Sequence, residues 1–266
     1  MFFILAYALP AYYHTTDDIV AGLESYSDCI DKLHTNAVHA YKIPSPEAPL
    51  KTFLLFGEHP RELISSETGF ELIKKICDKR SDILKTSEFL IVVNANPISR
   101  REVEDGDYCL RTNEHGVDIN RNWSYEWEEN DCTVESETCS GDFPFSEPES
   151  TETKNLLHAF GADIFITIHS GTLGLYTPWA YCTEKATDNE GPMIEVLQQI
   201  HDDYCDDCAI GAAGKTVGYK CPGTCLDYAY ADEGIQWAFA WEIYKQPTTK
   251  FFSFLQTPHK PYSCFV

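Results

Sequence analysis

Apolar residues fall into two patterns along this chain. Three stretches are nearly continuous: TFLLF (52–56), EFLIVVN (88–94) and DIFITIHS (163–170), the last ending in a polar pair. Such runs predict buried strands. IQWAFAWEIY (235–244) predicts another strand, ending near Glu242, and AVHAYKI (37–43) alternates in the manner of a strand. Elsewhere apolar positions recur at helical spacing. DDIVAGLESYSDCIDKL (17–33) places Ile19, Val20, Leu23, Ile30 and Leu33 near one face, with Thr16 or Asp17 as the cap. ELISSETGFELIKKICDK (62–79) and MIEVLQQIHDDY (193–204) predict two more helices. SEPE (146–149) reads as a capping box, Ser146 as N-cap and Glu149 reaching back, opening a helix to about Phe160.

PSPEAP (44–49) predicts a turn, and the polar stretch 95–145 an irregular loop region. Strands alternate with helices without a repeat or a linker, so the chain reads as one continuous α/β domain over 12–266. Residues 1–11 are a short apolar run with a small-residue AYA (6–8): a secretory leader or a hydrophobic tail packed on the domain. That run is too short to span a bilayer, and no other segment is long and apolar enough to do so.

Composition narrows the choice of function. The 266 residues carry 42 acidic against 20 basic side chains, a formal charge of -22, which disfavours nucleic acid as a partner. Eleven cysteines point to an oxidising compartment, secreted or lumenal, with at least one thiol unpaired within the chain.

Candidate chemistry sits where the strands stop. In open α/β sheets ligands gather at the carboxyl ends of strands. GEHPRE (57–62) follows one apolar run and brings His59 and Glu62 three apart; His169 and Glu242 close two others. Two imidazoles and a carboxylate are a good zinc donor set, with room for a fourth position. Taken alone, the His–Glu spacing is better explained as a surface ion pair, and the motifs that follow reverse that preference. In GVDINRNW (116–123), Asn120 and Arg121 pair an amide with a guanidinium fork suited to gripping a carboxylate, and Arg111 lies in YCLRTN (108–113) shortly before.

Together these motifs resemble the zinc metallocarboxypeptidases of the pancreatic carboxypeptidase A/B-like type. The likeness runs from YYHTTDDI (12–19) to FAWEIY (239–244). GEHPRE is similar to that family's zinc motif, and NP (96–97), with Arg111 fourteen residues after the proline, to its oxyanion-arginine spacing. DINRNW resembles the carboxylate clamp, SEPE the family's Ser-Glu-x-Glu, and ITIHS the third-ligand strand. GYKCPGTCLDYAYADEGIQWAFAWE resembles the segment carrying the mobile tyrosine, an aspartate and the catalytic glutamate.

The resemblance implies a mixed central β-sheet flanked by helices and a monomeric hydrolase. Such an enzyme would hold one Zn2+ per chain on His59, Glu62 and His169 and cut the last peptide bond of peptides or proteins. By the same resemblance Glu242 is the general base, Arg111 stabilises the oxyanion, and Asn120 and Arg121 hold the substrate's terminal carboxylate. Tyr219 closes over the last residue, and Arg61 either contacts substrate or pairs with local acids. Leu226, at the base of the specificity pocket, implies apolar or aromatic C-terminal residues.

Two other functions compete. One is an inactive relative that binds peptide C-termini or acts as a scaffold; the other is a zinc deacylase of acylated amino acids. The 24 residues after Glu242 are fewer than the resemblance leads one to expect, which implies a truncated end and favours the scaffold. The sequence leads one to expect that no inhibitory pro-segment precedes the domain and activity needs no proteolytic release, and Gly171 after the third ligand implies a more open subsite. Cys205, Cys208, Cys221 and Cys225 have the spacing of a zinc ribbon, or of two disulfides bracing the Tyr219 loop, which the composition favours. Cys132 and Cys139 fall where the family has a bridged cysteine, with Cys109 a candidate partner for one of them. The formal glycosylation sequon NWS (122–124) lies beside the clamp and is expected to be unused.

Overall fold

The computed structural model describes residues 13–79, 82–133 and 136–245. The N-terminal apolar run and nearly all of the C-terminal tail lie outside the described residues, and with them the expectations of a leader and of a truncated end.

In chain order the elements are α1 (Thr16–Glu24), β1 (Asp31–Lys32), β2 (His39–Ile43), β3 (Leu50–Phe56), α2 (Leu63–Lys79), β4 (Ser87–Asn94) and α3 (Pro97–Glu104). There follow α4 (Pro148–Phe160), β5 (Ile164–His169), β6 (Leu173–Thr177), α5 (Glu190–Tyr204) and β7 (Ala209–Ala212). The last are α6 (Ala213–Val217), α7 (Cys225–Ala231) and β8 (Trp237–Ile243). Among the described residues the strands form one sheet of eight in the order β1-β2-β4-β3-β5-β8-β6-β7. The central four, β4, β3, β5 and β8, run parallel. Antiparallel β2 and β6 flank them, so the sheet is mixed and helix-covered, as the resemblance implied.

The continuous apolar runs are continuous because both faces of the sheet are covered. Phe53, Leu55, Leu90, Val92 and Phe165 face a core completed by Leu157 and Phe160 of α4 and by Leu226 and Ala229 of α7. The alternate residues Leu54, Phe56, Phe89, Ile91 and Val93 face Ile19 and Leu23 of α1 and Phe70, Ile73 and Ile76 of α2. Each fully buried side chain of this kind stabilises the fold by about 1.5–3 kcal/mol. The parallel strands therefore lie rigid between two layers and deliver their carboxyl ends to one edge.

Several local expectations fail for identifiable reasons. Helix α1 stops at Glu24 and does not reach residue 33. Ser25 Oγ donates to Gly22 O, Ile30 turns into the core, and a Cys29–Cys77 disulfide ties the following loop to α2. The cap is Thr15, one residue earlier than expected: its hydroxyl accepts from Asp18 N at 3.0 Å, and the Asp18 carboxylate accepts from Thr15 N at 3.2 Å. The capping box at SEPE does not form. Helix α4 opens on Pro148 with Glu147 as cap; Ser146 Oγ donates to Glu147 Oε1 at 2.7 Å, and Glu149 accepts from Asn113 at 3.1 Å. The stretch read as irregular contains α3, and β6, β7, α6 and α7 were not anticipated.

The cysteines are also partly corrected. Cys205–Cys208 and Cys132–Cys139 are bridged, whereas Cys221 and Cys225 are free and buried, so neither a zinc ribbon nor a second bridge forms at the Tyr219 loop. Cys109 is disulfide-bonded, but not to Cys132 or Cys139. Asn122 of the sequon is fully buried, its Nδ2 donating to Ser140 O, Phe143 O and Ser146 Oγ, which leaves no room for a glycan.

Candidate active site

Strand β3 leaves the sheet through Gly57, whose φ of +73° is readily adopted only by glycine. A Cβ there would stand 2.5 Å from Ser66 Oγ, so the residue also allows the chain to pass close to α2. The turn that follows is closed by Glu62 N donating to His59 O at 3.1 Å. His59 and Glu62 are thereby set side by side ahead of α2, with His59 Nδ1 2.6 Å from Glu62 Oε1. From the end of β5, His169 Nδ1 reaches 3.2 Å from His59 Nδ1 and 3.2 Å from Glu62 Oε2. Ser170 N donates to Glu62 Oε2 at 3.0 Å, which fixes the carboxylate from the other side.

The three candidate ligand atoms lie within 4.8 Å of one another, and all three residues are buried. Two ring nitrogens and a carboxylate oxygen that converge in this way form a borderline N/O donor set, and zinc suits it. Burial alone would raise the pKa of Glu62, but the two imidazoles hold it below the ordinary carboxylate range.

The other nitrogen of each imidazole also meets a carboxylate. His59 Nε2 lies 3.1 Å from Asp118 Oδ1. Asp118 Oδ2 accepts from Arg111 Nε at 2.9 Å and Nη2 at 2.8 Å. Against a burial that would raise it, the charges of Arg111 and His59 keep Asp118 well below the usual range. His169 Nε2 lies 3.1 Å from Glu58 Oε2 and 2.8 Å from Thr167 Oγ1. Neither Asp118 nor Glu58 was singled out in the sequence. Asp118 lies inside DINRNW and Glu58 inside GEHPRE, so the signal available was a carboxylate within each motif.

Strand pairing places Glu242 of β8 directly opposite His169 of β5. Glu242 Oε2 is a buried atom with no hydrogen-bond partner among the described residues. Burial, then the neighbouring charge of Glu62, pushes the Glu242 carboxyl up to about 7. A carboxyl with a free oxygen and a pKa near neutrality can take and release a proton.

The remaining candidates surround this cluster. Arg121 is buried, with Nη1 donating to Asn120 O at 2.7 Å, and Asn120 Oδ1 accepts from Cys225 N at 3.0 Å. This ties the 119–121 turn to the start of α7. Tyr219 is 60% exposed and follows Gly218, the left-handed cap of α6. Partial burial, and then the nearby Cys221, raise the pKa of its hydroxyl, with Arg121 and Arg111 opposing the shift. Arg61 forms a fork to Glu137, with Nη1–Oε1 at 2.8 Å and Nη2–Oε2 at 3.2 Å, and donates to Cys109 O. Leu226 is buried in the core cluster that also contains Ala213 and Cys221, on either side of the Tyr219 loop. Next to it, Asp227 accepts from Ala180 N and Tyr181 N, holding the 180–181 segment against α7.

Comparison with known proteins places these features in context. A family model described as zinc carboxypeptidase matches residues 36–258. Carboxypeptidase A5 of Macaca fascicularis is 26% identical over 87% of this chain, which spans only 60% of that protein's length. Carboxypeptidase B of Astacus astacus is 24% identical, over 72% of this chain and 69% of its own. Among solved structures, the carboxypeptidase A from Helicoverpa armigera superposes with a TM-score of 0.80 at 18% identity, covering 90% of this chain and 66% of that one.

Proposed function

Because this chain belongs to the zinc carboxypeptidase family, we propose that it is a zinc-dependent carboxypeptidase that hydrolyses the C-terminal peptide bond of peptides or proteins. The observation that carries this reading is the convergence of His59, Glu62 and His169 beside Glu242, whose Oε2 is buried without a partner. An ion-pair cluster with a purely structural role would leave no such oxygen unpaired.

His59, Glu62 and His169 would hold the ion, with Asp118 and Glu58 behind the two imidazoles. The chemistry zinc supplies when held there is Lewis acidity toward the scissile carbonyl and toward the attacking water. Glu242 would take the proton of that water on its free oxygen and give it to the leaving amine. Arg111, kept in place by Asp118, would turn its remaining N–H groups toward the developing oxyanion.

Exopeptidase action would follow from Asn120 and Arg121. A guanidinium and an amide fixed together accept a free carboxylate, which an internal peptide bond does not offer. Tyr219 would move from its exposed position to shield the reacting bond. Arg61 would contact the substrate only by exchanging Glu137 for it. Leu226, an apolar side chain where a charged one would select basic residues, supports a preference for apolar or aromatic C-terminal residues.

Disulfides among the described residues support a secreted or lumenal setting. No helix among them is long and apolar enough to cross a membrane.

The test uses blocked dipeptides ending in Phe, Leu, Lys or Glu, with zinc and with chelator. Release of Phe or Leu that chelator abolishes, and that Glu242→Gln abolishes while zinc stays bound, is the expected result. Zinc retention without turnover of any substrate would instead indicate a binding protein.

A further inference from the structure

Glu58 neither holds the ion nor takes part in the proton transfer proposed above. It is only 2% exposed, in a turn where an apolar side chain would pack at less cost. Its Oε2 gathers three partners: Thr167 Oγ1 donates at 3.0 Å, Cys225 Sγ donates at 3.2 Å, and His169 Nε2 lies at 3.1 Å. The hydroxyl and the thiol are neutral donors. Among the described residues, no lysine or arginine pairs with it. Asp118, in the matching position behind His59, has its charge met by Arg111.

Apart from the His169 imidazole, the partners of this buried carboxylate are neutral donors, so a divalent cation on that imidazole would balance its charge. The far nitrogen of the same imidazole, His169 Nδ1, faces His59 and Glu62. An N–H on Nε2 directed at Glu58 and Thr167 leaves the Nδ1 lone pair free for an ion, and the carboxylate makes that lone pair more basic. Thr167 Oγ1 at 2.8 Å from Nε2 can accept from the same N–H while donating its own proton to Glu58.

We propose that Glu58 is a positioning residue for the metal. Through Thr167 and Cys225 it locks His169 as the Nε2-protonated tautomer, and its charge adds to the hold of His169 on a divalent cation. This inference rests on the reading of His59, Glu62 and His169 as a zinc site. It gives a chemical role to the free thiol of Cys225, which acts as a donor to Glu58.

Three measurements on the full chain test it. Competition with a chromophoric chelator gives the zinc affinity of wild type and of Glu58→Gln. The variant is expected to bind zinc about tenfold to a hundredfold more weakly. Thermal melts of the zinc-free proteins should show a change in stability too small to account for the lost affinity. Nitrogen-15 NMR of zinc-free wild type, at a pH where His169 is a neutral imidazole, should find its one ring proton on Nε2, a result independent of how well any variant folds.

Equal zinc affinities within twofold, or a His169 proton on Nδ1, would overturn the proposal. So would a zinc-free variant that melts well below wild type and whose lost affinity only tracks that instability. If wild type itself binds no zinc, the metal-site reading fails first and this inference fails with it.

Discussion

One carboxylate oxygen of Asp118 lies 3.1 Å from His59 Nε2. The other oxygen holds Arg111 at 2.8 and 2.9 Å. One buried side chain thus sets both a candidate metal ligand and the candidate oxyanion arginine. Asp118→Asn is expected to weaken zinc binding by about tenfold to a hundredfold, as loss of a carboxylate behind a ligating histidine does, and to lower turnover as well. Arg111→Gln should lower turnover while the zinc content stays near one per chain. Metal analysis beside steady-state kinetics on the two variants separates these effects; retained zinc affinity in Asp118→Asn would remove its link to His59.

Glu242 gives a pH dependence whose sign can be worked out. Its folded pKa is raised to about 7 from an ordinary value of 4.5, chiefly by burial. The folded state therefore keeps a proton that the unfolded chain has already released. In zinc-free protein this group is neutral to stability below about 4.5, costs progressively more as pH rises toward 7, and levels off above. The total is on the order of 3 kcal/mol. Urea unfolding of chelator-treated wild type and Glu242→Gln across pH 4 to 8 checks it. The difference between the two should open over that window in favour of the variant, and a constant difference would contradict the assignment.

The sheet centre and the candidate metal cluster were legible because each left a local signature. Continuous apolar runs such as Phe53–Phe56 record burial on two faces, and His59 and Glu62 share one short turn. Helix α3 was not legible: its buried face is Pro97, Ser99, Arg100 and Val103, with Arg100 satisfied by Glu104 at 3.0 Å rather than by apolar neighbours. Hydrophobic periodicity cannot register a helix whose inward side is polar. Ser146 and Glu149 have the spacing of a capping box, yet long-range partners, Asn122 and Asn113, claim both side chains. Asp118 and Glu58 were missed for a related reason, because their roles depend on imidazoles that only the folded chain brings to them.

Arg121 offers a test of exopeptidase character that does not depend on the metal. It is buried, and its Nη1 donates to Asn120 O at 2.7 Å, so its fork is held in one orientation. A charge-assisted hydrogen bond contributes about 1.5–3 kcal/mol, which corresponds to roughly tenfold to a hundredfold in KM. Arg121→Gln should raise KM by that factor for peptides with a free C-terminal carboxylate. The preference for free acids over the same peptides amidated should narrow in parallel. Paired assays on acid and amide substrates measure both, and an unchanged preference would assign the grip to other residues.

Two bridges of very different span should contribute unequally to stability. Cys29–Cys77 joins residues 48 apart and ties the loop after α1 to α2, whereas Cys205–Cys208 closes a separation of 3 at the end of α5. By loop-closure entropy the first should stabilise by about 4 kcal/mol and the second by about 2 kcal/mol. Replacing Cys29 and Cys77 together by serine should therefore lower the urea midpoint more than replacing Cys205 and Cys208, with the slope of the transition also increased because the unfolded chain expands further. The free thiols Cys182, Cys221 and Cys225 are buried. They should react with a thiol reagent only as the protein unfolds, so labelling followed alongside unfolding gives an independent check that the transition being measured is global. Equal midpoints for the two double variants would show that native contacts around α2, and not the chain constraint, hold that loop in place.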